Sequence, residues 1–172
     1  MQHNERNKVA ATEEEKQYVT FVIGDETYGV PVLQVQSINE MSKITQVPNT
    51  VKYMKGMINL RGAVIPVLDM RLKFNMPERE YDSFNVIIIV EVKGRLIGMI
   101  VDSVSDVVSI PISSIQETPQ FTSKIDTDFI EGIGHNDGNL IIILDVNKIL
   151  TVREIEMIDN SSTAKGTVND KE

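Results

Sequence analysis

One stretch of this chain repeats another without a gap. Tyr53-Met54-Lys55-Gly56-Met57-Ile58-Asn59-Leu60-Arg61-Gly62-Ala63-Val64-Ile65-Pro66-Val67-Leu68-Asp69 aligns with Phe129-Ile130-Glu131-Gly132-Ile133-Gly134-His135-Asn136-Asp137-Gly138-Asn139-Leu140-Ile141-Ile142-Ile143-Leu144-Asp145. An aromatic residue, two glycines, an apolar run and a closing Asp keep their places. Self-similarity constrains architecture before any motif does, because each copy needs a neighbour to cover its apolar face. Upstream, Tyr28-Gly29-Val30 and Ile97-Gly98-Met99 each follow a turn signal and lead into an apolar stretch. The duplication therefore covers about residues 18–74 and 84–150, and predicts two small packed barrels with intertwined strands.

The residues available for that duplication favour strands. The chain has 20 Val and 22 Ile against 8 Leu and 4 Ala, and β-branched side chains fit a pleated surface while losing rotamer freedom in helices. An all-β class follows, with strands at Tyr18–Ile23, Thr27–Val30, Ile44–Val47, Met57–Arg61, Ala63–Leu68, Asn85–Val92, Arg95–Val101, Val104–Ile110 and Asn139–Leu144. Gly24-Asp25 and Lys93-Gly94 read as hairpin turns. Short helices are expected after Pro31, with Leu33, Val35 and Ile38 on one face, and over Thr50–Lys55 between Pro48-Asn49 and Gly56. A docked helix is expected over 152–158, where Val152, Ile155 and Ile158 recur every third residue. Residues 1–16 and 159–172 lack apolar periodicity and read as flexible tails flanking one domain at 17–158.

Charge and rare residues exclude several functions. Lys plus Arg number 17 and Asp plus Glu 25, a formal net charge of −8, which disfavours nucleic acid and anionic membranes as partners, since polyanions are held by clustered Lys and Arg. With no Cys there is no disulfide, thiolate metal site or Cys nucleophile. Apolar runs such as Val86–Val90 fall far short of the roughly 18 residues a spanning helix needs. The expectation is a cytoplasmic protein with no metal and no cofactor.

Catalytic constellations are sparse. There is no Gly-x-Ser-x-Gly elbow and no phosphate-binding loop, and His135 is the one imidazole in the body of the chain. Asp69, Asp102, Asp106 and Asp145 follow strands. Capping of turns is the simpler reading of these four; an acid–base enzyme using Asp102 and Asp106 is the alternative.

The repeat also marks where its halves differ. Asn59-Leu60-Arg61 faces His135-Asn136-Asp137, so barrel construction does not fix the charge of this turn. Arg61 is then either a solvated turn residue or an interface residue whose guanidinium fork suits carboxylates and carbonyls. Val35 and Ile38, near Gly56 and Arg61, either cap a barrel end or wall an apolar groove with a charged rim.

Further residues carry a specific likeness: Phe21-Val22-Ile23-Gly24-Asp25-Glu26-Thr27-Tyr28-Gly29-Val30, Val47-Pro48-Asn49, Lys55–Arg71 with its Asn-Leu-Arg-Gly-x-x-x-Pro-x-x-Asp core, Ile97–Val107 and Glu131-Gly132-Ile133-Gly134. Over about residues 17–158 the chain resembles the CheW family of bacterial chemotaxis coupling proteins. The resemblance implies two five-stranded Src-homology-type barrels and a non-enzymatic adaptor. Its partners would be the cytoplasmic tip of methyl-accepting chemoreceptors and the regulatory domain of the histidine kinase CheA, in arrays at the inner face of the membrane. Carried over, Val35, Ser37, Gly56, Arg61 and Val86 would meet the receptor, and Ile38 and Ile44 the kinase. Ser37 departs from the pattern, because many members have Glu there, which puts one charge contact in doubt.

Overall fold

The computed structural model describes residues 14–48, 50–117 and 128–159. The described residues form ten strands: β1 (Glu15–Ile23), β2 (Glu26–Pro31), β3 (Val35–Glu40), β4 (Met54–Leu60), β5 (Ala63–Asp69), β6 (Val86–Val92), β7 (Arg95–Val101), β8 (Ser103–Pro111), β9 (Ile130–Asn136) and β10 (Asn139–Leu144). A one-turn helix, α1 (Met70–Lys73), follows β5, and a second, α2, spans 152–159. Most of the two expected tails lies outside the described residues. Glu15 and Lys16, assigned to the first tail, instead pair with Pro111 and Ile110 as the start of β1.

The strands form two five-stranded sheets in the orders β8-β1-β2-β10-β9 and β3-β6-β7-β5-β4. Each therefore takes a hairpin from one half of the duplication and three strands from the other. The halves meet in the parallel pairs β2–β10 and β5–β7 and in the antiparallel pairs β1–β8 and β3–β6, so neither can leave without breaking ladders inside both sheets. The segments after the edge strands β3 and β8 return to the opposite edges. Thr45 and Met57 exchange two backbone hydrogen bonds of 2.8 Å, and Gln116 and Ile133 exchange bonds of 2.9 and 2.8 Å.

Strand alternation divides the apolar residues among three cores. Ile58, Ile65, Val67, Ile87, Ile89 and Ile100 cluster on one face of the β3–β4 sheet, and Tyr18, Ile110, Ile141 and Ile143 on one face of the other. The opposite faces meet in a larger core that includes Phe21, Ile23, Val30, Leu68, Ile88, Val90 and Leu144. Ile155 and Ile158 of α2 join it, whereas Val152 is 62% exposed.

Four local expectations are corrected. The helix after Pro31 is a single 3-10 turn over Val32–Gln34, because Val35 and Ile38 gain more by pairing with Val90 and Ile88 of β6 than a short isolated helix could offer. The helix expected over Thr50–Lys55 is instead a turn at 50–53, closed by Met54 N–H to Val51 O at 3.1 Å, since Met54 is already paired with Leu68 in β4. The Ile44–Val47 strand reduces to the one bridge at Thr45. β9 was not among the expected strands, because Gly132, Gly134, His135 and Asn136 are weak strand formers; it forms as the partner of β10.

Candidate partner-binding surfaces

The sequence-derived candidates fall into three places. Val35, Ser37, Ile38 and Val86 lie on β3 and β6, where Ser37 opposes Ile89, Ile38 opposes Ile88 and Glu40 opposes Val86. Opposed residues share a face. Val35 and Val86 lean partly buried against the central core, and Ile38 remains 43% exposed. Ser37 takes the other face, its hydroxyl accepting from Asn39 Nδ2 at 2.8 Å. Ile44 packs half-buried on the β3–β4 sheet's own core beside Met41 and Leu60, so it supports the fold as well as flanking the edge.

Arg61 stands apart, exposed at the tip of the β4–β5 hairpin. Arg61 and Gly62 have φ of 54° and 87°, the two positive values of a type I′ turn, and Asn59 Oδ1 accepts from Gly62 N–H at 3.0 Å. Asp137 takes φ 50° at the equivalent turn, so the turn's backbone tolerates either residue and does not itself require the arginine.

Gly56 is not a surface residue. It is buried, and a Cβ there would sit 2.1 Å from the Thr45 carbonyl oxygen. Its repeat partner Gly132 would bring a Cβ within 2.7 Å of Gln116 O. Each glycine admits the returning segment that joins the sheet edges, which explains their recurrence in both halves. Gly56 can influence partners through the position of residues 41–47, but it has no side chain to offer them.

All four acids are accounted for by structure, although Asp106 lies within β8 and does not follow a strand as expected. Asp69 Oδ1 accepts from the amides of Arg71 and Leu72, and its Oδ2 accepts from Tyr81 Oη at 2.7 Å; burial and that bond push the Tyr81 phenol above its ordinary range. Asp145 caps the equivalent turn through Asn147 N–H at 3.0 Å. Asp106 lies on exposed β8, where its carboxylate accepts from Val107 N–H at 2.7 Å, covering an amide at the sheet edge.

Asp102 ties the two sheets together. Its oxygens accept from Arg71 Nε at 2.9 Å and Nη2 at 2.8 Å, and from Gly24 N–H at 2.8 Å, while its own N–H donates to Val22 O at 3.0 Å. Burial opposes ionisation, but the Arg71 hydrogen bonds, the Gly24 amide and the charges of Arg71 and Arg79 outweigh it and hold the carboxyl below its ordinary range. Asp102 and Asp106 are four residues apart along extended chain, about 13 Å by strand rise. Paired catalytic carboxylates flanking one bond sit about 5–9.5 Å apart, so the acid–base alternative lacks its pair and is withdrawn.

Sequence reasoning missed the exposed apolar side chains. Leu33, on the turn after Pro31, is 94% exposed, and Phe84 is 70% exposed on a turn clasped by Asp82 N–H to Asn85 Oδ1 at 2.7 Å. The Asp-x-x-Asn spacing around Phe84 was the available signal. Neither a membrane-length apolar helix nor a metal-holding group of His, Cys, Asp and Glu occurs among the described residues.

Comparison with known proteins places this scaffold. Residues 17–154 match the CheW-like domain. The chain belongs to that family. It is 33% identical to the chemotaxis protein CheW of Klebsiella aerogenes over 154 residues, 90% of this chain and 93% of the relative. It is 38% identical to the chemotaxis protein CheW of Bacillus subtilis over 133 residues, 77% of this chain and 85% of the relative. The crystal structure of the scaffolding protein TtCheW from Thermoanaerobacter tengcongensis matches with a TM-score of 0.76 at 37% identity, covering 82% of this chain and 96% of that one. The CheW-like chain is thus a chemotaxis adaptor in class, built on the doubled sheet that its repeat foretold.

Proposed function

We propose that this CheW-like chain couples methyl-accepting chemoreceptors to the histidine kinase CheA without catalysing a reaction itself. The observation that carries the reading is that its likeness to a scaffolding protein runs through both sheets, at 96% of that protein's length. A receptor tip would lie on the face of the β3–β6 pair that presents Val35 and Val86 and reach Ser37 around the β3 edge, with Arg61 supplying a cation from the tip of the β4–β5 hairpin. The kinase regulatory domain would meet the β3 edge through Ile38 and the segment around Ile44. Gly56 would act indirectly, by seating that segment.

The interlocked sheets suit such a role. Because each contains strands from both halves, the two faces keep a fixed spacing, and a shift imposed at one reaches the other as a change in relative placement. Coupling then consists of contacts that differ between two kinase states. The protein would work in the cytoplasm, held at the membrane through receptors. Reconstitution tests this: receptor-containing membranes and CheA, with and without this chain, are assayed for ATP turnover. The proposal expects kinase activity that depends on both chain and receptor, and loss of that dependence with Arg61→Glu. Unchanged turnover on adding the folded chain to cognate partners would refute it.

A further inference from the structure

Four lysines border one cleft in a chain whose formal charge is −8. Lys52 precedes β4, Lys73 ends α1, Lys93 lies in the β6–β7 turn and Lys148 in the turn after β10; together with apolar walls that include Phe129 and Val152 they enclose about 740 Å³. That volume is in the range of ligand-binding sites.

Among the described residues, the four lysines of the cleft face two carboxylates, Asp128 and Glu154. Glu154 is already engaged, accepting from Thr151 N–H at 2.9 Å and lying 3.5 Å from Lys73 Nζ. Among the described residues, Lys52, Lys93 and Lys148 form no ion pair. Lys93 and Lys148 are nevertheless held close, because Lys93 N–H donates to Asn147 Oδ1 at 3.3 Å.

The fold does not require this arrangement. At the corresponding turn of the other half, Gly24 N–H donates instead to Asp102, whose charge is met by Arg71. One copy of the turn is charge-balanced and the other is left positive. The cations are also all lysines, point charges on flexible stems that reach several spaced anionic groups without fixing one bidentate geometry. The exposed Val152 and half-buried Phe129 favour apolar groups between those anions, which a peptide supplies and a phosphate does not.

We propose that this cleft binds an acidic peptide segment of a partner protein, with carboxylates at Lys52, Lys93 and Lys148 and an interspersed apolar side chain on Phe129 and Val152. Lys93, in the turn after β6, lies about 23 Å by strand rise from Val86 and about 10 Å from Val90, the partner of Val35, so the cleft adjoins the end of the β3–β6 pair remote from Val86.

A fluorescein-labelled peptide of repeating Glu-Glu-Leu tests it by anisotropy, alongside a Glu-Glu-Ser peptide, inorganic tripolyphosphate and vesicles of anionic phospholipid. The Leu peptide should bind best. Its affinity should fall at least tenfold in the Lys93→Glu/Lys148→Glu variant and separately in Lys52→Glu, both keeping the parent melting transition, and amide shifts should centre on Lys93, Lys148 and Phe129. Equal binding of the Ser peptide, tripolyphosphate or vesicles would overturn the proposal in favour of unselective anion attraction. Failure of the Leu peptide to bind, or binding unaffected by the folded variants, would also overturn it.

Discussion

Replacing Gly56 by alanine places a methyl carbon 2.1 Å from Thr45 O, 2.7 Å from Thr45 C and 2.9 Å from Ile44 Cγ2. Two of those atoms are backbone, so no rotamer change relieves the clash and the 41–47 segment must lift. Lifting it costs the two Thr45–Met57 hydrogen bonds of 2.8 Å, about 1 kcal/mol each. Alanine at φ 150° adds about 1 kcal/mol of backbone strain. Partial exposure of Ile44, now packed beside Ile58 and Ile65, adds about another 1 kcal/mol. The expected loss is about 3–4 kcal/mol, a large share of the 5–15 kcal/mol typical of a domain. Urea denaturation followed by circular dichroism measures it, and hydrogen exchange at the Thr45 and Met57 amides locates it. Gly62→Ala separates strain from contact: its φ is 87° but nothing lies within 4 Å of the added carbon, so it should cost only about 1 kcal/mol. A Gly56→Ala loss no larger than that of Gly62→Ala, with Met57 still protected, would refute the reasoning.

Arg61→Glu should abolish receptor coupling while changing unfolding stability by less than about 1 kcal/mol, because the residue is exposed at a turn; a collapsed melting transition would make Arg61 structural. Ile38→Ala should weaken kinase binding with little change in stability, whereas Ile44→Ala should lower stability by about 1–2 kcal/mol through its half-buried contacts, and titration calorimetry beside thermal melts separates the two. Asp102→Asn should destabilise by about 3 kcal/mol at pH 7, as expected for breaking a buried pair from one side. Since the Asp102 carboxyl is held below its ordinary range, its contribution is present above the unfolded-state pKa of about 3.9 and fades as pH falls through the folded value. Urea midpoints of parent and variant should therefore converge in acid, and a constant gap down to pH 2 would contradict the ion pair's role.

Much of the architecture was legible because the 53–69 and 129–145 copies align without a gap, and duplicated β units with alternating Val and Ile leave few packings. β9 was missed because its own residues are poor strand formers, although its alignment with β4 in the repeat carried the signal. What escaped was context. Pro31–Ile38 carries both a turn and a strand, and only β6 lying alongside decides where one ends. Gly56 reads as the stop of a short helix and, by the resemblance, as a receptor contact, and nothing in its neighbours reveals that Thr45 returns from the other edge of the sheet to press its carbonyl against it. Asp102 and Asp106 look like a pair in one dimension; Arg71 and Gly24, distant in sequence, claim the first, and the Val107 amide claims the second. The exposed Leu33 and Phe84 are ordinary apolar residues until the structure leaves them uncovered.

The most direct measurement is a residue-resolved NMR titration of the isotope-labelled chain, first with a CheA regulatory domain and then with a receptor tip fragment. An adaptor predicts two separable sets of shifted amides, one centred on Val35, Val86 and Arg61 for the receptor and one centred on the outer β3 edge at Ile38 and Ile44 for the kinase, with both partners bound at once. Shifts with neither cognate fragment, or a single set for which the two fragments compete, would contradict the account.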